Sequence, residues 1–199
     1  MQGKRLKNKL AMEEKIYKAG MKLFEKKGYE YTTLQEIAEL AQVSTSTLHK
    51  YFPAKEDILL RTARSKTEHF LATAKALSED LDARSKIETL FLEELNETAR
   101  VQTTFKIQMP GFYSSDKIFQ LEKENKTIMG AVYKEILINE QRKKNCPISE
   151  ENCSYIADLI ITVMFHILEH NELDESFDGF SYTKKFLDVL WKGIDDLLF

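Results

Sequence analysis

Residues 33–59 read TLQEIAELAQVSTSTLHKYFPAKEDIL. Thr33 with Glu36 three places on is a capping box, in which each side chain satisfies a backbone amide that the start of a helix leaves without a partner. Leu34, Ile37, Ala38 and Ala41 then recur at helical spacing and supply a buried face. That helix has to stop near Gln42, because Ser44 is itself a good N-cap for the next run, TSTLHKYF. Two helices of about eight residues cannot each bury a full face alone, so they pack as a helix-turn-helix against a helix before them.

The preceding helix runs from Met12 to Lys27, with Ile16, Ala19, Leu23 and Phe24 at helical spacing and Gly28 where a left-handed C-cap wants glycine. In the second short helix, Ser44, Thr45, Ser46 and Thr47 are small hydroxyl residues that let a helix approach a groove closely. They offer hydrogen bonds to phosphate or to base edges, and His49, Lys50 and Tyr51 can donate to phosphate oxygens. On these residues alone the same cluster also fits a capped surface helix.

Composition points the same way. The 7 Gly and 3 Pro make about 5% of the 199 residues, against an average near 12%. So few breakers argue against a many-stranded sandwich or barrel and for long helices, giving an all-α fold. The formal charge of −3 hides a division: residues 1–66 hold 14 Lys and Arg against 8 Asp and Glu, a net +6, and the other 133 residues hold 15 against 24, a net −9. A basic third on an acidic body is what a nucleic-acid module attached to a non-binding body would show. The longest apolar run, LIITVMF at 159–165, is far short of the ~20 residues a membrane span needs. No apolar stretch follows the basic start as a secretory signal would require, so the expectation is a cytoplasmic protein with no membrane partner and with Cys146 and Cys153 as free thiols.

The opening stretch resembles the DNA-binding signature of the TetR family of bacterial repressors. The matching positions are the Thr33 cap, Ile37-Ala38, Val43-Ser44, Tyr51-Phe52 and Lys55-Glu56, and the resemblance covers about residues 11–60. It implies that Thr45, Ser46, His49 and Lys50 face the groove, with Ser44 capping their helix, and that Thr33, Tyr51 and Lys55 hold phosphates. Leu34, Val43, Leu48 and Phe52 would be core. Three positions depart from the family pattern: Gln42 stands where Gly is usual and must itself adopt positive φ, His49 replaces Tyr, and Ala54 replaces a Ser or Asn cap. A histidine there would make DNA affinity fall as it deprotonates.

The resemblance further implies a ligand-responsive regulator: a repressor released from a pseudo-palindromic double-stranded operator by a largely apolar small molecule. The expected division is a DNA-binding domain with a basic arm over 1–54, joined by a long helix to a helical effector-binding and dimerisation domain over 55–199. In that second part a helix runs from Lys55 to about Ser78, with Ile58, Leu59, Phe70, Leu71 and Ala74 on one side. After the acidic break SEDLD another runs from Ala83 to Val101, with Ile87, Leu90, Phe91 and Leu95 inward. Pro110-Gly111 ends a helix, and the residues around that break mark an effector pocket wall: Phe70, Phe91, Phe105, Gln108, Met109, Phe112, Tyr113, Phe119 and Tyr133. Each aromatic among them also fits ordinary core.

Helices follow over about Ser115–Lys144, Ser149–Asn171 and Tyr182–Phe199. Ile156, Ile160 and Val163 on one of the last two, and Phe186, Leu190, Trp191 and Ile194 on the other, exceed the apolar area one small domain needs. In TetR-like proteins such a pair joins its symmetry mate, so these residues are the expected homodimer interface. His166-Ile-Leu-Glu169-His170 matches the H-x-x-E-H pattern of some zinc peptidases, but no further acidic ligand is recognisable, and neither metal nor cofactor is expected. With no phosphate loop, nucleophile elbow or CxxC in the sequence, the chain does not read as an enzyme. A competing reading is a helical small-molecule-binding or scaffold protein whose basic third engages protein or membrane instead of DNA.

Overall fold

The structure, a computed structural model, describes residues 2–105, 116–147, 149–174 and 176–198, without side chains at 2, 98–105, 172 and 195–198. Among the described residues there are eight α-helices and no strand: α1 (Gln2–Lys27), α2 (Leu34–Leu40), α3 (Thr45–Tyr51), α4 (Glu56–Ala76), α5 (Ala83–Phe105), α6 (Asp116–Lys143), α7 (Glu150–Leu173) and α8 (Gly179–Leu198). They form two compact units, Met1–Arg64 with Thr103–Phe119, and Ser65–Gln102 with Gln120–Phe199. The boundary between the units falls within α4.

In the first unit, α1 begins ten residues ahead of its apolar pattern. Its basic start is rich in strong helix formers and continues the helix, although Leu6 and Leu10 remain exposed. Gly28 ends it at φ 90°, donating its amide to the Phe24 carbonyl at 2.8 Å. The capping box at α2 is complete: the Glu36 amide donates to Thr33 Oγ1 at 3.3 Å, and the Thr33 amide donates to Glu36 Oε2 at 2.9 Å. Lys27 adds an ion pair to the same carboxylate. The α2–α3 turn is a Schellman motif. Val43 donates to the Ala38 carbonyl at 2.9 Å and Gln42 to that of Glu39 at 3.0 Å, with Gln42 at φ 50°.

Ser44 then caps α3, accepting from the Thr47 amide at 3.1 Å. Ile16, Phe24, Ile37, Leu48, Phe52, Ile58 and Leu59 close one core over α1 to α4, with Leu34 and Val43 packed at its edge. Gly20 lets α1 approach α4 closely, since a Cβ there would meet Ile58 Cδ1 at 2.8 Å. Arg61 of α4 ties back to α1, paired with Glu13 and Glu14 and lying over the Tyr17 ring at 4.1 Å.

The second unit is built around Phe70, Leu90, Phe91, Leu95, Tyr133, Leu137, Ile156, Ile160, Met164, Ile167 and Leu187. Leu71, expected on the inward side of α4, is exposed, because the inward side holds Phe70. Asp82 caps α5 through the Ser85 amide at 2.7 Å, and Asp178 starts α8 by accepting from the Ser181 amide at 3.0 Å. That cap starts α8 at Gly179, ahead of the expected Tyr182. Between α6 and α7, the side chain of buried Gln141 accepts from the Ser149 amide at 3.2 Å and from the Cys153 thiol at 3.3 Å. Both cysteines are free thiols. The segment Glu150–Asn171 of α7 is long and apolar enough to cross a membrane by length and composition, but here its apolar side fills this core.

Two outcomes follow from the first unit. Gln42→Gly removes a left-handed penalty of roughly 1–2 kcal/mol while adding unfolded-chain entropy of up to about 1 kcal/mol. Urea unfolding should therefore show a net gain of about 0.5–1 kcal/mol. The Lys27 ammonium, then the Thr33 amide and hydroxyl, hold the Glu36 carboxyl down to about 2 from an ordinary 4.5. Their stabilisation is fully present above pH 4.5 and lost as pH falls towards 2. The stability gap between the wild type and Glu36→Gln should be open at pH 7 and narrow steadily as pH falls from 4.5 towards 2 in thermal melts.

Candidate nucleic-acid interface

Leu48 and Phe52 turn α3 into the core, which leaves Thr45, Ser46, His49 and Lys50 exposed together on the opposite face. Ser44 sits at the head of that face, its hydroxyl 3.0 Å from Ser46 Oγ and 2.8 Å from Thr47 Oγ1. Tyr51 is half-buried against the core. The His49 ring lies with Nδ1 3.2 Å from the Pro53 carbonyl. A carbonyl only accepts, so Nδ1 carries the proton, and Nε2 can donate to a phosphate only when the ring is the imidazolium. Lys4, Arg5, Lys7 and Lys9 of α1 are exposed as well.

Two expected phosphate contacts are engaged within the protein. Thr33 is occupied by the capping box, its hydroxyl donating to Glu36 Oε2 at 2.8 Å. Lys55 Nζ donates to the carbonyls of Tyr29, Glu30 and Thr32 at 2.7, 3.3 and 3.2 Å, and lies 4.2 Å from the centre of the Tyr29 ring. Its three N–H groups thus pin the α1–α2 loop to the start of α4, and a phosphate would draw on the same protons. No local sequence signal carries this clamp, since its partners lie 23 to 26 residues away. The cap missing at Ala54 is supplied in reverse, with the Ala54 amide donating to Asp57 Oδ2 at 2.8 Å.

Of the expected effector residues, the second unit brings three together in its core. The Phe70 and Tyr133 rings meet edge-on at 5.8 Å, and Phe91 lies 6.2 Å from Tyr133. Phe119, placed on the pocket wall from sequence, is 61% exposed on α6, because Ile118 and Leu121 take the inward positions of that turn. The Phe105 side chain, Gln108, Met109, Phe112 and Tyr113 lie outside the described residues. Sequence reasoning passed over Glu94, which is only 6% exposed and whose carboxyl is pushed up to about 7, chiefly by burial. Its signal was positional: Ile87, Leu90, Phe91, Glu94 and Leu95 share one helical stripe.

The expected dimer residues are placed differently. Ile156, Ile160, Leu190 and Ile194 are buried within the single chain, and Val163, Phe186 and Trp191 pack at the edge of the same core. A side chain with 0% or 1% exposure, as at Ile160 and Ile156, has no surface left for a partner to cover. Among the described residues, the large apolar side chains exposed on these helices are Tyr155, Leu159 and Leu173 of α7 and Phe180, Tyr182 and Val189 of α8. Apolar periodicity had marked both helices but not which side the unit itself consumes. The His166 and His170 rings lie 4.1 Å apart on one face of α7, tilted at 47° to each other. Among the described residues no three His, Cys, Asp or Glu side chains converge to hold a metal ion.

A basic, two-helix reading head on an all-helical body defines a helix-turn-helix protein. Residues 16–62 match the family described as bacterial regulatory proteins, tetR family. The transcriptional regulator RutR of Escherichia coli K12 is 38% identical over 78 residues, 39% of this chain and 37% of its own length. The match therefore spans little more than a third of that relative. Across the whole fold, FadR of Thermus thermophilus, a TetR-family repressor solved with lauroyl-CoA, superposes with a TM-score of 0.66 at 23% identity, covering 92% of this chain and 94% of its own. A TetR transcription regulator from Haloarcula marismortui gives 0.69 at 16% identity, covering 90% and 96%. Residues 16–62 thus match the N-terminal domain of the TetR family, and the fold of the whole is similar to that of solved TetR-family regulators.

Replacing Lys55 with methionine keeps an apolar stem over Tyr29 and removes all three hydrogen bonds. Urea unfolding should show a loss of about 1–2 kcal/mol, because the carbonyls lie near enough to the surface to recover water.

Proposed function

We propose that the chain is a ligand-responsive transcriptional regulator that binds operator DNA as a homodimer in the cytoplasm, a repressor released by a small molecule. The observation that carries this reading is the α3 face, with Thr45, Ser46, His49 and Lys50 exposed together in a TetR-family domain. One such helix from each subunit would enter successive major grooves of a pseudo-palindromic site. Support for the dimer comes from the exposed apolar residues of α7 and α8, with Leu159 and Val189 at its centre in place of the buried residues named from sequence. The lauroyl-CoA in the Thermus thermophilus relative supports an effector with a substantial apolar part.

Release follows if the effector binds better to a conformation in which the two reading helices are wrongly spaced. α4 is suited to carry that change, since Ile58 and Leu59 belong to one core and Phe70 to the other.

A gel shift against the promoter region of the chain's own gene tests the proposal. Affinity should fall steeply with salt, and Lys50→Ala should weaken binding; a salt-independent curve would favour the scaffold reading. Val189 is 71% exposed, so Val189→Glu should leave the melting temperature of the subunit near wild type while shifting sedimentation to the monomer. The same variant should lower operator affinity by at least tenfold.

A further inference from the structure

The stretch His166-Ile-Leu-Glu169-His170 carries chemistry that neither the reading head nor the core of the second unit uses. Ile167 and Leu168 turn this part of α7 inward, which leaves His166, Glu169 and His170 exposed on the other side. Histidines four residues apart on one helix stand one above the other, and here the ring centres are 4.1 Å apart. Two imidazoles so placed reach one ion together, as such a pair does in helical zinc sites.

His170 is oriented before any ligand arrives. Its Nδ1 lies 3.0 Å from the His166 carbonyl, which can only accept, so Nδ1 carries the proton and Nε2 keeps its lone pair. A histidine that gives one ring nitrogen to a backbone carbonyl and keeps the other for a ligand is the common arrangement around a bound metal. The same ring packs against Phe177 at 5.6 Å, and Phe177 packs against Tyr182 of α8 at 5.3 Å. Fixing the ring in advance lowers the ordering cost of binding.

The surroundings favour a cation. His170 lies in the last turn of α7, where the carbonyls give a helix its negative end. Glu169 stands on the same exposed side, and Glu122 of α6 lies near enough to interact with it. Lys126, which Glu122 also feels, is drawn over the Phe165 ring at 4.5 Å.

We infer that His166 and His170 together chelate one divalent transition-metal ion, at a site that the regulator reading does not require. Imidazole suits zinc, nickel and copper, whereas magnesium and calcium take oxygen ligands. Among the described residues no third protein ligand converges on the pair. The ion therefore keeps its other positions for water, and the site is not a zinc-peptidase centre, which needs three protein ligands. Because chelation ties one turn of α7 to the next, the bound ion stabilises the folded chain.

Zinc chloride titrated calorimetrically into the full chain, without an affinity tag and near neutral pH, is the test. The wild type should take up one zinc per chain, and magnesium should give no heat. His166→Gln and His170→Gln should each weaken zinc binding by about tenfold or more, nearly as much as the double variant, because a lone imidazole loses the help of the second. Both side chains are exposed, so neither replacement should disturb the fold. His69→Gln and Cys146→Ser should bind zinc as the wild type does. In thermal melts, zinc at roughly ten times its dissociation constant should raise the wild-type midpoint and leave the double variant unmoved. No zinc uptake, uptake that survives either single replacement within about twofold, uptake lost with His69 or Cys146, or equal binding of magnesium each overturns the inference. The gel shift bears on the regulator alone, so the two readings fail separately.

Discussion

A helix of seven residues does not hold itself together in water, because nucleation costs more than so few hydrogen bonds return. α2 and α3 are both that short, and everything the first unit presents outward depends on what holds them inward. Ile37 and Ala38 secure one, Leu48 and Phe52 the other, and Ile16, Phe24, Ile58 and Leu59 provide the surface they rest on. The turn between them is equally constrained. Each amide that could fray it is assigned, to Ala38 and Glu39 on one side and to Ser44 Oγ on the other. The exposed face of α3 is thus a by-product of a fully committed inner face.

Features governed by neighbours in the chain were legible in the sequence. The Thr33–Glu36 box, the Gly28 terminus, the positive φ at Gln42 and the Ser44 cap are all interactions over four residues or fewer, so residue type and spacing suffice to read them. The inward stripe of α5 was readable for the same reason, apart from Glu94, whose charge disguised its place in the pattern.

What escaped the sequence depended on distant partners. Lys55 looks like any basic residue at a helix start until the loop after α1 closes over it. Periodicity marks α7 and α8 as apolar on more than one side, yet only the packed unit shows that Ile156 and Ile160 are consumed internally while Tyr155, Leu159 and Val189 are not. The start of α1 was hidden for a different reason: a helix without a buried face leaves no apolar pattern to find.

That helical start alters what its basic residues can do. A flexible arm could bring four cations to one strand of phosphates. On a helix each residue turns about 100° from the last, which places Lys4 and Lys7 within about 60° of each other and Arg5 with Lys9 within about 40°, the two pairs facing apart. A polyanion running along one side meets one pair and leaves the other in solvent. Half of the charge that the composition assigns to this segment is then held in reserve by geometry.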